Sequence, residues 1–146
     1  MHSEILKPVV VLIAWSLVML VWMVATRMPA LRKLGIDVSK VRGSKPGGLD
    51  GVVPDKTQWP AHNYIHLMEQ PTLFYAVALV IALSGTGQGW NAWLAWGYVA
   101  LRIVHSIWQA TVNQISIRFL LFSLSTLCLI ALTLHAAMAV FGWHHG

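Results

Sequence analysis

Long stretches without any charged residue limit what this chain can fold into. Residues 8–26 and 119–143 contain no Asp, Glu, Lys or Arg, and further apolar segments lie between them. Only 10% of the 146 residues are charged, whereas a soluble domain carries roughly a quarter. A helix needs about 20 mostly apolar residues to cross the ~30 Å hydrocarbon core of a bilayer. The sequence therefore predicts an all-α integral membrane protein, with residues 1–146 forming one domain, a bundle of four transmembrane helices.

Proline, glycine and polar residues mark the ends of the predicted helices. Pro60 suits the first turn of the second helix, an uncharged turn occupies residues 84–89, and a polar break begins at Asn113. The first helix could be a signal peptide, but its length and the basic residues after it favour a retained span. It is followed by a basic loop, residues 29–59, in which we expect a short interfacial helix at residues 30–35. The predicted helices cover residues 8–28, 60–83, 90–113 and 117–143.

The positive charge indicates the orientation of the chain in the membrane. Seven of the ten Lys and Arg residues lie between Arg27 and Lys56. Because loops rich in Lys and Arg stay inside, we expect this loop to be cytoplasmic and both termini to be non-cytoplasmic. Trp90, Trp93 and Trp143 would then form an aromatic belt at the outer surface. The net charge of +5 reflects this loop and does not indicate nucleic-acid binding.

Ionisable residues inside the predicted spans point to a site. Such residues are costly in a bilayer and usually face a bundle interior or a wet cavity. At a helical rise of 1.5 Å per residue, Glu69 and Arg102 lie at similar depths, roughly 14 and 16 Å. We therefore expect two polar stripes to face each other across a cleft open to the cytoplasm, with Glu69 paired to Arg102. The stripes are His62, His66 and Glu69 on the second helix, and Arg102, His105, Gln109 and Asn113 on the third.

Arg118 stands alone at the cytoplasmic start of the fourth predicted helix. It could be an interfacial anchor whose guanidinium reaches the headgroups. Alternatively, its charge could stabilise an anion such as a thiolate at the mouth of the cleft. The sequence leaves both interpretations open.

Two motifs resemble those of the MAPEG family, the membrane-associated proteins of eicosanoid and glutathione metabolism. Residues 66–71 and Phe74 are similar to the family's Asn-x-x-Glu segment on helix two, and residues 98–107 to the Arg-Ile-x-His segment of microsomal glutathione transferases. These segments read HLMEQP and YVALRIVHSI. Arg118 falls where those enzymes have the arginine thought to activate the thiol. The resemblance extends over most of the chain and makes it a divergent member.

The resemblance implies a homotrimer that binds glutathione as co-substrate between neighbouring subunits. Glu69 and Arg102 would hold the polar groups of the peptide, and Arg118 would stabilise the thiolate that attacks a lipophilic small molecule arriving from the bilayer. The expected activity is that of a glutathione- or thiol-dependent transferase or peroxidase surrounded by membrane lipids. The remaining expected glutathione-binding residues are His66, His105, His62, Gln109 and Asn113.

Three positions depart from the family pattern and leave alternatives open. His62 replaces an arginine, His66 an asparagine, and Gln109 a tyrosine. Because arginine binds carboxylates with two parallel hydrogen bonds, the first change favours a non-catalytic MAPEG-fold protein that binds a lipid or a small anionic ligand.

Metal binding and transport are further alternatives. Two histidines spaced i, i+4 suit zinc, and the candidate ligands are His62, His66, Glu69 and His105. Arg102 would compete for Glu69, however, so no metal is expected. Transport is less well supported because the ionisable residues stop midway across the second and third helices.

Overall fold

The computed structural model describes residues 3–35 and 55–142, and places them in four α-helices. These are α1 (Leu6–Lys33), α2 (Asp55–Leu83), α3 (Trp90–Thr111) and α4 (Ile115–Phe141). The shortest, α3, has 22 residues and is about 33 Å long, enough to cross a bilayer. Among the described residues, α1, α2 and α4 are also apolar enough to span a membrane. α3 is long enough to span a membrane but is not apolar enough by this measure, because it carries the polar stripe. The predicted bundle of four transmembrane helices is confirmed.

The ends of the helices differ from the predicted ones at several places. α1 continues through Pro29 to Lys33, so the separate interfacial helix predicted at residues 30–35 is wrong. Residues such as Ala, Leu, Arg and Lys favour helix, and the buried side chain of Leu31 packs the last turn against the bundle. α2 already includes Asp55, five residues before Pro60. The middle of the predicted basic loop and Trp143 lie outside the described residues.

The interior of the bundle is apolar along most of its length. α1 packs on α2 and α3 on α4, and α2 also packs against α3 and α4. Phe74 of α2 stacks on Tyr98 of α3 with ring centroids 4.5 Å apart. The outer surface is equally apolar, with large apolar side chains exposed on every helix, as expected of side chains that face lipid. Trp90 and Trp93 are 80% and 72% exposed, and their place in an aromatic belt at the outer surface stays a prediction.

Polar contacts tie the helices together at the end of the bundle that carries the N-terminus. The backbone N–H of Ile5 donates to the carbonyl of Gly87 in the α2–α3 turn, at 3.0 Å. The amide of Asn91 donates to the Thr86 carbonyl at 2.9 Å. The Asn91 Oδ1 then accepts a hydrogen bond from Nδ1 of His135 on α4, at 2.5 Å. The start of α1, the α2–α3 turn and the last third of α4 are thus held at one end, and the α3–α4 turn lies at the other.

We expect Gly87→Ala to destabilise the protein. A Cβ at Gly87 would overlap Oγ of Ser3 and lie 2.8 Å from Cγ2 of Ile5, so the segment before α1 must move. Overpacking of this kind costs about 1–3 kcal/mol. Thermal unfolding in detergent should show a lower melting temperature.

Gly97→Ala is the matched control, because the added Cβ would lie 3.7 Å from Sγ of Cys128, an ordinary contact. Alanine favours the interior of a helix over glycine by up to about 1 kcal/mol. This variant should therefore melt at or above the wild-type temperature. Equal melting temperatures for the two variants would contradict the packing of the N-terminal segment on the turn.

Candidate functional site

The polar stripe on α3 is buried in the bundle. Arg102 is 0% exposed, His105 1% and Gln109 2%, so the predicted inward direction of this stripe is correct. The same face also carries Ser106, which is completely buried. The period of the helix brings these residues to one side because they are spaced by three, four and seven.

Many polar atoms of this region have no partner in the chain. Within the described residues, none of the three guanidinium nitrogens of Arg102 makes a hydrogen bond, and neither do the amide atoms of the completely buried Asn63. A buried charge without an opposite charge or hydrogen bonds is costly. We call these residues the buried polar cluster: Asn63, Arg102, His105, Ser106 and Gln109. Its unpartnered donors and its positive charge suit an anionic or strongly polar ligand.

The stripe on α2 lies at the edge of the bundle and not inside it. The side chains of Glu69 and His66 are 63% and 39% exposed, and Oε2 of Glu69 lies 4.0 Å from Nδ1 of His66. No carboxylate among the described residues pairs with Arg102. The predicted ion pair of Glu69 with Arg102 is therefore not formed in the single chain, although the charge of Glu69 lies near enough to interact with that of Arg102. The reason is that α2 buries its more apolar face, with Leu67 and Phe74, which turns the polar stripe outward.

The two stripes do meet at the level of His66. Its ring and that of His105 are perpendicular neighbours, with centroids 6.0 Å apart. Arg102 and Arg118 both lie close enough to these two histidines for their charges to interact. His62 belongs to the electrostatic surroundings of His66 as well. The structure thus brings residues from α2, α3 and α4 into one region, and the two arginines make that region positive.

Arg118 lies in the first turns of α4, at the end of the bundle that carries the α3–α4 turn. Its Nη1 donates a hydrogen bond of 2.7 Å to Oδ1 of Asn113. The preceding turn is fixed by the indole of Trp108, whose Nε1 donates to the carbonyl of Gln114 at 3.1 Å. No side chain in the described chain caps the N-terminus of α4, and its first turn has no acidic residue. The free N–H groups of such a terminus favour a nearby negative charge.

Sequence reasoning missed Asn63 and Ser106 as members of the cluster. Asn63 is four residues before Leu67 and eleven before Phe74, so its helical phase with the apolar face could have identified it. It also missed a hydrogen-bonded chain one turn from Arg102. Tyr98 donates to Oε1 of Gln70 at 3.1 Å, and Nε2 of Gln70 donates to Thr126 on α4 at 2.9 Å.

The metal-binding alternative finds no support in the described part of the chain. No three residues among its His, Cys, Asp and Glu side chains are grouped so that they could hold a metal ion. The candidate ligands are instead divided between the exposed edge of α2 and the buried face of α3.

The fold and this region together define a class of protein. It is a helical integral membrane protein that encloses a cationic, donor-rich region between α2, α3 and α4. The family model of the MAPEG family matches residues 5–138, which is most of the chain, and the protein belongs to this family. Comparisons with curated proteins and with solved structures gave no significant match.

We expect Arg102→Met to stabilise the ligand-free protein. Methionine fills a similar volume without a charge, and replacing buried charged groups by apolar ones has raised stability by about 1–4 kcal/mol in other proteins. The melting temperature in detergent without ligand should rise. A clear drop would contradict an Arg102 without a partner.

Proposed function

We propose that this protein is a glutathione-dependent transferase or peroxidase that acts on lipophilic electrophiles. The observation that carries the proposal is the completely buried Arg102, which has no hydrogen-bond partner among the described residues, with a second cation, Arg118, at the α3–α4 end of the same region. Family membership supports a function in glutathione or eicosanoid metabolism. Glutathione matches the cluster because its two carboxylates and its thiolate are acceptors, while the cluster offers mainly donors and positive charge.

Arg118 would act on the sulfur. A thiol with a pKa of about 8.5 is mostly protonated at neutral pH, and a nearby cation favours the nucleophilic thiolate. The thiol proton leaves to water, and the sulfur electron pair forms a bond to the electrophilic carbon. With a chlorinated nitrobenzene, the carbon–chlorine bond breaks and chloride leaves. The uncapped N-terminus of α4 would add its N–H groups to the stabilisation of the anion.

The exposed Glu69 supports a site between subunits. A carboxylate on the outer face of a spanning helix is costly when it faces lipid. A neighbouring copy would remove it from lipid and could place it against the ammonium group of glutathione. We therefore propose a homotrimer with the site at the subunit boundary, facing the cytoplasm. Native mass spectrometry in detergent tests this, and a monomer at all concentrations would contradict it.

Binding and conjugation test the function directly. Calorimetry should detect glutathione binding to the wild-type protein, and conjugation of a chlorinated nitrobenzene should follow. Absence of binding at millimolar glutathione would reject the proposal.

We expect Arg118→Ala to lower kcat/KM for conjugation by about tenfold to a hundredfold. A hydrogen bond to a charged group contributes about 1.5–3 kcal/mol, and each 1.4 kcal/mol corresponds to about tenfold. The pH–rate profile should shift to higher pH, because the thiolate is no longer stabilised by a cation.

Lys7→Ala is the matched control. It also removes a cation, but one that pairs with Glu4 at the opposite end of the bundle, at 3.0 Å. Its kcat/KM and pH–rate profile should equal those of the wild type. A profile that shifts equally in both variants would reflect net charge and would contradict a specific role of Arg118.

The second candidate is a non-catalytic protein that binds a small anion or a lipid headgroup. The observation that favours it is that His62, His66 and Gln109 stand where the family pattern has an arginine, an asparagine and a tyrosine. Glutathione bound by the wild type without any conjugation, and an Arg118→Ala variant that binds it equally well, would favour this candidate.

A further inference from the structure

The turn between α3 and α4 places an asparagine where the backbone alone favours glycine. Asn113 has φ 53°, and within the described residues the other positive φ angles belong to glycines. Glycine adopts this left-handed conformation without a steric penalty, whereas asparagine is tolerated there less well. The backbone N–H of Asn113 donates to the carbonyl of Trp108 at 2.7 Å, a bond that glycine would make equally well. The reason for asparagine must therefore lie in its side chain.

That side chain holds Arg118. Oδ1 of Asn113 accepts the 2.7 Å hydrogen bond from Nη1 of Arg118. The acceptor itself cannot move far, because the bonds of Trp108 to Asn113 and to Gln114 fix the backbone on both sides of it. The backbone N–H of Arg118 also donates to the carbonyl of Gln114, at 3.1 Å. The backbone N–H and the guanidinium of Arg118 are thus both bonded to the same turn.

The amide oxygen of Asn113 is neutral, so its hydrogen bond does not offset the positive charge of Arg118. Within the described residues, no carboxylate lies at ion-pair distance from its guanidinium. A guanidinium has five N–H donors, so one bond to an amide leaves most of them for a ligand. A carboxylate in the same place would hold the side chain but would offset its charge and compete with an anion.

We propose that Asn113 is a positioning residue that fixes the Arg118 guanidinium at the mouth of the site while leaving its charge unneutralised. Oδ1 of Asn113 is then engaged with the arginine, and we assign this residue to positioning, whereas the sequence had suggested a direct contact with glutathione. The use of this arrangement for a thiolate rests on the proposed function, whereas the contact between the two side chains does not.

Two variants distinguish a role of Asn113 in positioning Arg118 from a role in ending α3. Asn113→Gly keeps the left-handed backbone and removes the acceptor. Asn113→Asp keeps an acceptor of nearly the same shape and adds a negative charge. The thiol of bound glutathione is titrated by the ultraviolet absorbance of its thiolate, and the pH dependence of conjugation is measured alongside.

We expect both variants to raise the apparent pKa of the bound thiol and to lower kcat/KM at neutral pH by threefold to tenfold or more. The Asp variant should be affected at least as strongly as the Gly variant, although its side chain can still bind Arg118. The melting temperature of the Gly variant should stay near that of the wild type. Wild-type pH profiles in both variants would show that Asn113 only ends α3, and would overturn the proposal.

A measurement without glutathione keeps this proposal separate from the proposed function. The melting temperatures of the wild type, Asn113→Gly, Arg118→Ala and the double variant form a cycle. We expect Asn113→Gly to change the melting temperature of the Arg118→Ala variant by a different amount than it changes that of the wild type. Strictly additive effects would overturn the contact. If the wild type binds no glutathione, the proposed function fails, while a non-additive cycle still supports the attachment of Arg118 to Asn113.

Discussion

A positive charge sealed inside an apolar bundle is the constraint on which the rest of this structure depends. Arg102 is fully buried on α3, and no carboxylate among the described residues lies at ion-pair distance from it. Neither lipid nor the core residues around it can offset that charge. Further buried polar residues of α2 and α3 accompany it, in an interior whose other buried residues are mostly apolar. The buried polar stripe also explains why α3 is not among the described helices that are apolar enough, by composition alone, to span a membrane.

The two arginines of the site are held in different ways. Arg102 is enclosed by the packing of the helices and has no hydrogen-bond partner in the described part of the chain, so its position is set by its own helix and its neighbours. Arg118 lies near the end of the bundle, where a neutral amide holds it. A ligand that extends from the α3–α4 turn to the buried polar cluster would meet Arg118 at one end and Arg102 at the other. The histidine pair between α2 and α3 lies within reach of both charges.

The helices and the burial of α3 could be predicted because both depend on local sequence. Uncharged runs define spans, and a spacing of three, four and seven defines one face, whatever the neighbours are. The partner of Arg102 could not be predicted in this way. Depth in the membrane follows from counting residues, but the rotation of α2 depends on which of two faces the bundle buries. The face with Leu67 and Phe74 contributes more apolar area than the histidine stripe, so Glu69 was left outside.

Bonds at both ends join α3 to α4. Asn91 and His135 connect them at one end, Asn113 and Arg118 at the other, and Gly97 permits close packing near Cys128 between these points. These bonds oppose sliding of α3 and α4 along each other. The two helices are therefore expected to move together as one body in any rearrangement of the bundle, with Gln70 of α2 bonded to both of them through Tyr98 and Thr126.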